Sequence, residues 1–190
     1  MAMTPTMMLI NGNTLFDLEN PDPKKIDFED IAATLSRIKR WCGRGSLSIS
    51  VAQHSVYVMT QLPERLQLAG LMHDAHEAYT GDISTPMKRV LRSIDLTRIQ
   101  NRIDEIIHEK LGLSLEDKDL QAIKQADLAV CASEMYRSFG YTRTVDKCLT
   151  GFPKPAKIKI AFWTETHAKN TFLQEFYRLT SPASDSTESN

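Results

Sequence analysis

The chain has 190 residues, 42% of them hydrophobic, and a net charge of −1, which supplies one substantial core and leaves a second full domain cramped. The near-zero balance excludes the global basic field of a general nucleic-acid or membrane-surface binder, so an anionic partner has to be met locally. Cys42, Cys131 and Cys148 are odd in number and lack metal-ligand spacing, as expected of free thiols in a reducing compartment. The opening MAMTPTMMLI has no basic region before its short apolar run, and no run approaches the ~18 apolar residues that would span a bilayer. The expectation is a soluble cytoplasmic protein with no membrane partner, in the host cytoplasm if it is viral.

In chain order, MMLI and TLFDL flank Asn-Gly, a strong hairpin signal, and predict a small N-terminal β-hairpin. After the proline-punctuated ENPDPKK, Asp27 is a plausible N-cap for a helix over 28 to about 41, with Phe28, Ile31, Leu35 and Ile38 at helical spacing. Gly43 and Gly45 break it, and ISVAQHSVYVMTQL predicts a second helix. Pro63 opens a third, ERLQLAGLMHDAHEAY, which Gly81 ends.

One or two helices are expected from 87 to about 111, stopped by Gly112, and LSLEDKDLQAIKQADLAVCASEMYRSF predicts another, closed by Gly140. TRTVDKCLTGFPKP reads as irregular, IKIAFWTETHAKNTFLQEFYRL as a final helix, and SPASDSTESN as a disordered tail. The chain is therefore expected to be all-α with a minor β element, one domain over 1–180 and a tail over 181–190.

LMHDAHEAYTGD, residues 71 to 82, concentrates the chemistry. His73 and Asp74 are adjacent, Glu77 follows one helical turn later, and Asp82 comes just past Gly81, where a turn can bring its carboxylate back. Taken alone, such charges fit a solvated face. Two residues elsewhere change that. His54 lies on or beside the apolar side of its helix, and Asp127 falls on a stripe with Leu120, Ile123, Val130 and Cys131. An ionised carboxylate buried there has to be paired, protonated or metal-bound.

His54, His73, Asp74 and Asp127 together supply two nitrogens and two oxygens from three helices, a set that suits a divalent first-row cation. Cobalt, manganese, zinc, iron or nickel would all fit, with magnesium an option at a second site. Such a cation polarises a phosphoryl oxygen and acidifies water, so phosphate-ester hydrolysis is the expected chemistry. Glu77 is placed to hold or deprotonate the nucleophilic water, and Asp82 suits the leaving-group side or a second metal. Ser55 and the thiols have no neighbouring base, and His108 and His167 read as surface or structural.

The pattern His54, His73-Asp74, Asp127 resembles the signature of the HD-domain metal phosphohydrolases. EDIAATLSRIKRWCGRG-SLSISVAQHSV, LMHDAHEAYTGDISTPMK and QADLAVCASEM are similar, in order and spacing, to the small-nucleotidase branch, over roughly residues 10 to 140. That branch includes bacterial 5′-deoxynucleotidases and phage dATP triphosphohydrolases. The resemblance implies an HD helical fold, a metal on His54, His73, Asp74 and Asp127, catalysis helped by Glu77 and Asp82, and a deoxynucleotide substrate. It also implies that Arg40 and Trp41 contact phosphate and nucleoside, and that Thr85, Pro86 and Lys88 lie close to the pocket.

The residues themselves allow the same roles. Arg40 can fork onto a phosphate, and Lys88, Arg89 and Arg92 add positive charge, although the last two also suit a solvated face. Trp41 can stack on a base or sugar or exclude a ribose 2′-OH, or it can simply fill the core. The leading expectation is a dATP triphosphohydrolase with a use in phage nucleotide-pool control. The alternatives are a 5′-deoxynucleotidase acting on monophosphates and a non-catalytic nucleotide-binding HD module. Small-molecule deoxynucleotide is the expected partner, with no nucleic-acid polymer, and spare apolar helix faces after residue 95 suggest a homo-oligomer, dimer or hexamer.

Overall fold

The structure is a computed structural model that describes residues 6–92 and 94–181. The tail expected to be disordered lies, apart from Ser181, outside the described residues. The hairpin is present: β1 (Met7–Ile10) pairs antiparallel with β2 (Thr14–Asp17), Leu9 opposite Leu15. Asn11 and Gly12 make the reversal in the left-handed region, the reason Asn-Gly is favoured there. The hairpin buries Phe16, whose ring stacks on Tyr79 at 4.4 Å between centroids.

All other named elements are helical, so the chain is mainly α with a minor N-terminal β element. Helix α1 (Phe28–Arg37) is capped by the Asp27 carboxylate, which accepts from the amides of Glu29 and Asp30. It stops four residues short of the expected end. Ile38 is extended, and the chain pairs briefly with the segment before α2, Lys39 bridging to Ser50 and the Arg40 amide donating to Ile49 O at 3.0 Å. A tight turn over Arg40–Gly43 follows.

Helix α2 (Val51–Thr60), capped by Ser50, is buried at every position from Val51 to Met59. It packs against α1, α3 (Glu64–Met72), α7 (Asp117–Phe139) and α9 (Glu165–Thr180), which explains why polar residues on it have so little access to water. Gly70 lets α3 sit close: a Cβ there would stand 2.3 Å from Leu62 Cδ1.

The third helix is not continuous to Gly81. It ends at Met72, and α4 (Glu77–Thr80) starts after a four-residue turn. Two helices, α5 (Thr85–Leu91) and α6 (Ile94–Leu111), occupy the next stretch, the first beginning inside the Ser-Thr-Pro turn. Helix α7 begins at Asp117 behind a capping box made by Glu116 and Asp119, and Gly140 ends it. The segment read as irregular contains a short helix, α8 (Arg143–Cys148), whose N-cap is Thr142. The last helix forms only from Glu165, where Phe172 and Phe176 enter the core. No helix among the described residues is long and apolar enough to cross a membrane.

Candidate metal centre

Helix α2 delivers His54 into the interior with no exposed surface. Its Nδ1 lies 3.1 and 3.2 Å from the two carboxylate oxygens of Glu134, and its Nε2 lies 3.1 Å from Asp127 Oδ1 and 3.9 Å from Asp74 Oδ2. From the end of α3, His73 Nδ1 donates to the Gly70 carbonyl at 2.9 Å, since a carbonyl can only accept. Its Nε2, buried and without a hydrogen bond, sits 3.1 Å from Asp74 Oδ2, close but poorly directed for one. Both histidines thus engage Nδ1 with an acceptor of the protein and turn Nε2 toward Asp74. This is the arrangement of metal-ligating imidazoles.

His54, His73 and Asp74 bring one ligand atom each within 4.8 Å of one another, a group that could hold a metal ion. Asp127 adjoins this group through its contact with His54, and its other oxygen accepts from Lys124 Nζ at 2.6 Å. A buried histidine nitrogen lacking a partner is a gap that a cation fills well.

The buried charges of this cluster shift one another's titrations. Burial and Arg40 push His54 down, but Glu134 and Asp127 push harder and raise it to about 9. Burial would raise Asp74 and Asp127; the histidines beside them instead hold both well below the usual carboxylate range.

The break after Met72 shapes the rest. Between His73 and Ala78 the amides of Ala75, Glu77 and Ala78 donate to carbonyls three residues back, to Met72, Asp74 and Ala75. This tighter winding nearly eclipses residues three apart, setting Glu77 over Asp74. Glu77 is buried, its Oε2 has no partner, and burial together with the charges of Asp74 and Asp82 pushes it up to about 9. Gly81, at φ 76°, ends α4 and turns the chain so that Asp82 feels Arg40, Asp74, Lys88 and His54; burial and Asp74 raise it.

Arg40 reaches this centre too, but it is more enclosed than a substrate-facing arginine was expected to be. Its side chain is 11% exposed, and Nε lies 3.0 Å from Glu134 Oε2, an ion pair without hydrogen-bond alignment. Burial would lower its pKa; Glu134, with Cys131, Asp127 and Asp74, raises it instead. Trp41, at φ 51°, lies edge-on to Phe139 and under the Arg40 guanidinium, 5.1 Å from its carbon. Lys88 acts on Glu77 and Asp82 electrostatically, whereas Thr85 and Pro86 form the exposed first turn of α5.

A cavity of about 250 Å³ opens beside this group, lined by His73, Asp74 and Asp127 together with Asp104, His108 and Lys124. His108, read as surface or structural, lines this cavity. His76 is buried, its Nδ1 lies 3.0 Å from Asp104 Oδ1, and its Nε2 has no hydrogen-bond partner. Burial pushes the Cys131 thiol up to about 11, away from thiolate nucleophilicity. Glu134, Lys124 and Asp104 were absent from the sequence-derived set. Glu134 carried a usable signal, lying seven residues, two helical turns, after Asp127.

No family model matches the chain. Over 165 residues it is 36% identical to the uncharacterized protein YfdR of Escherichia coli strain K12, covering 86% of this chain and 89% of that one. Over 162 residues it is 32% identical to the uncharacterized protein RCAP_rcc00048 of Rhodobacter capsulatus, covering 80% and 82%. At these identities and near-full coverage, the chain belongs to the same family as Escherichia coli YfdR.

Proposed function

We propose that this protein is an HD-type metal-dependent phosphohydrolase of 2′-deoxynucleotides that converts dATP and water to deoxyadenosine and triphosphate. The observation that carries the reading is the convergence of His54 Nε2 and His73 Nε2 on the carboxylates of Asp74 and Asp127, with Nδ1 of each ring already engaged. A divalent manganese, cobalt, zinc, iron or nickel ion held there supplies Lewis acidity toward a phosphoryl oxygen and toward water.

The chain's own groups supply the rest. Glu77, with Oε2 unpartnered, holds the nucleophilic water and takes its proton. The charge of Asp74 that raises Glu77 is the charge a cation neutralises, which returns Glu77 toward the acidity of a working base. Water attacks the α-phosphorus, the bond from phosphorus to O5′ breaks to release triphosphate, and Asp82, on the leaving-group side, supplies the proton to O5′ of deoxyadenosine. Arg40 meets phosphate, and Trp41 offers a face to sugar or base.

Triphosphate is favoured over monophosphate by the positive charge beyond the centre. Lys88, Arg92, Arg98 and Arg102 line an open groove of about 670 Å³ whose one acidic lining residue, Glu105, pairs with Arg102, so the lining is net positive in a chain of net charge −1. Met87, Val90, Leu91 and Ile94 are exposed nearby and support self-association.

Incubation with dATP, dGTP and dAMP in turn, with manganese or cobalt, and separation of phosphate, pyrophosphate and triphosphate tests the reading. Triphosphate released from dATP is expected. Turnover of dAMP alone would replace it with a 5′-deoxynucleotidase, and no turnover with metal bound would leave a nucleotide-binding module.

A further inference from the structure

Glu134 has no part in the chemistry above, yet its carboxylate has no exposed surface and lies against two assigned groups. His54 Nδ1 is within 3.2 Å of both oxygens, and Arg40 Nε is 3.0 Å from Oε2. The His54 Nδ1–H needs an acceptor and the Arg40 guanidinium faces the same carboxylate as a charge, so the position calls for an anion that only accepts. A glutamine would have to turn its amide N–H₂ toward one of the two. An imidazole whose Nδ1 is denied an acceptor can move its proton to Nε2 and lose the lone pair a cation needs.

We propose that Glu134 is the positioning residue of the metal centre, fixing His54 with Nε2 toward the ligand cluster and anchoring Arg40 beside it. Metal loading and phosphate recognition then share one buried carboxylate. This rests on the metal-dependent reading of His54, His73 and Asp74. Two further features fit. Glu134 and Asp127 project from α7 two turns apart, so one helix sets both carboxylates around His54. The loop bearing Arg40 is held to the same helix, the Ser46 amide and hydroxyl both donating to Ser138 O, at 2.8 and 3.0 Å.

The test uses the full chain as wild type, Glu134→Gln and Glu134→Asp, compared first by near-ultraviolet circular dichroism. Calorimetric titration with Mn²⁺ or Co²⁺ alone should show metal affinity about 10–100-fold weaker in both variants, because outer partners of ligating histidines contribute that much. The visible spectrum of bound Co²⁺ should change, and inorganic phosphate should bind the Co²⁺-loaded variants more weakly than the loaded wild type. Should Glu134→Gln not fold, Glu134→Asp carries the comparison, since it keeps the charge and withdraws it by one methylene. Wild-type metal affinity in Glu134→Gln overturns the proposal. So does wild-type affinity in Glu134→Asp, which would reduce Glu134 to a counter-charge. Wild type that binds metal tightly and hydrolyses no nucleotide sinks the proposed activity and leaves the role of Glu134 standing.

Discussion

Raising the pH of the metal-free protein should destabilise it steeply near neutrality. Two buried groups hold protons in the folded state: His54 and Glu77, each raised to about 9. In the unfolded chain they titrate at their ordinary values, 6.5 and 4.5. The folded protein therefore binds the extra proton between 4.5 and about 9 at Glu77 and between 6.5 and about 9 at His54, and stability falls as pH rises through those windows. Each group contributes a slope of about 1.4 kcal/mol per pH unit, so the pair gives about 3 kcal/mol between roughly pH 7 and 8. For a chain of this size that lowers Tm by roughly 5–10 °C. Thermal unfolding followed by circular dichroism in excess chelator measures it. A saturating divalent cation should raise Tm and flatten the slope, because metal binding displaces the His54 proton. A Tm in chelator that is constant or rises over this interval would refute the assignment of buried protons to these two residues. On the acid side the sign reverses: Asp74 and Asp127, held low, contribute stability that starts to be lost below 3.8.

Glu77→Gln should lower kcat about 10²–10⁴-fold while metal content, read by elemental analysis, stays near wild type; full activity in that variant would remove Glu77 from the chemistry. In chelator the same variant should also lose one of the two titrations that steepen the Tm profile. Gly45→Ala places a Cβ 2.9 Å from Ser138 Cβ at φ +99°. It should destabilise by about 1–3 kcal/mol and raise KM through the Arg40–Trp41 loop, with metal affinity nearly unchanged; unchanged Tm and KM would show the loop tolerates the shift.

The convergence of His54 and Asp127 was legible because both residues contradict their surroundings. Asp127 on an apolar stripe and His54 on a buried helix are unfavourable unless something pairs them, and the structure pairs them with each other at 3.1 Å. The hairpin and α1 were readable for a similar reason: Asn-Gly and Asp27 have few uses besides a reversal and a cap. What escaped were features set by distant partners. Glu134 shares the Asp127 side of its helix, but its role shows only when Arg40 and His54 are brought to it from other elements. Arg40 could be read only as free to meet phosphate, because nothing near it in sequence hints at a buried carboxylate partner. The extent of α1 was overestimated because Ile38 continues the apolar period, yet its backbone leaves the helix to pair with the segment entering α2. Thr142 was the one available sign of α8, and a six-residue helix adds little periodicity to support it.

The break between α3 and α4 shows how a small backbone choice can set chemistry. In a regular α-helix Glu77 would share a face with His73, four residues back, and diverge somewhat from Asp74. Bonds to carbonyls three residues back instead bring Glu77 over Asp74. After burial, Asp74 is the largest influence raising Glu77. The same carboxylate belongs to the group that could hold a cation. The residue that keeps Glu77 protonated in the metal-free protein is thus the one whose charge a cation would cancel, so the tightened turn would tie the basicity of Glu77 to occupancy of the metal centre.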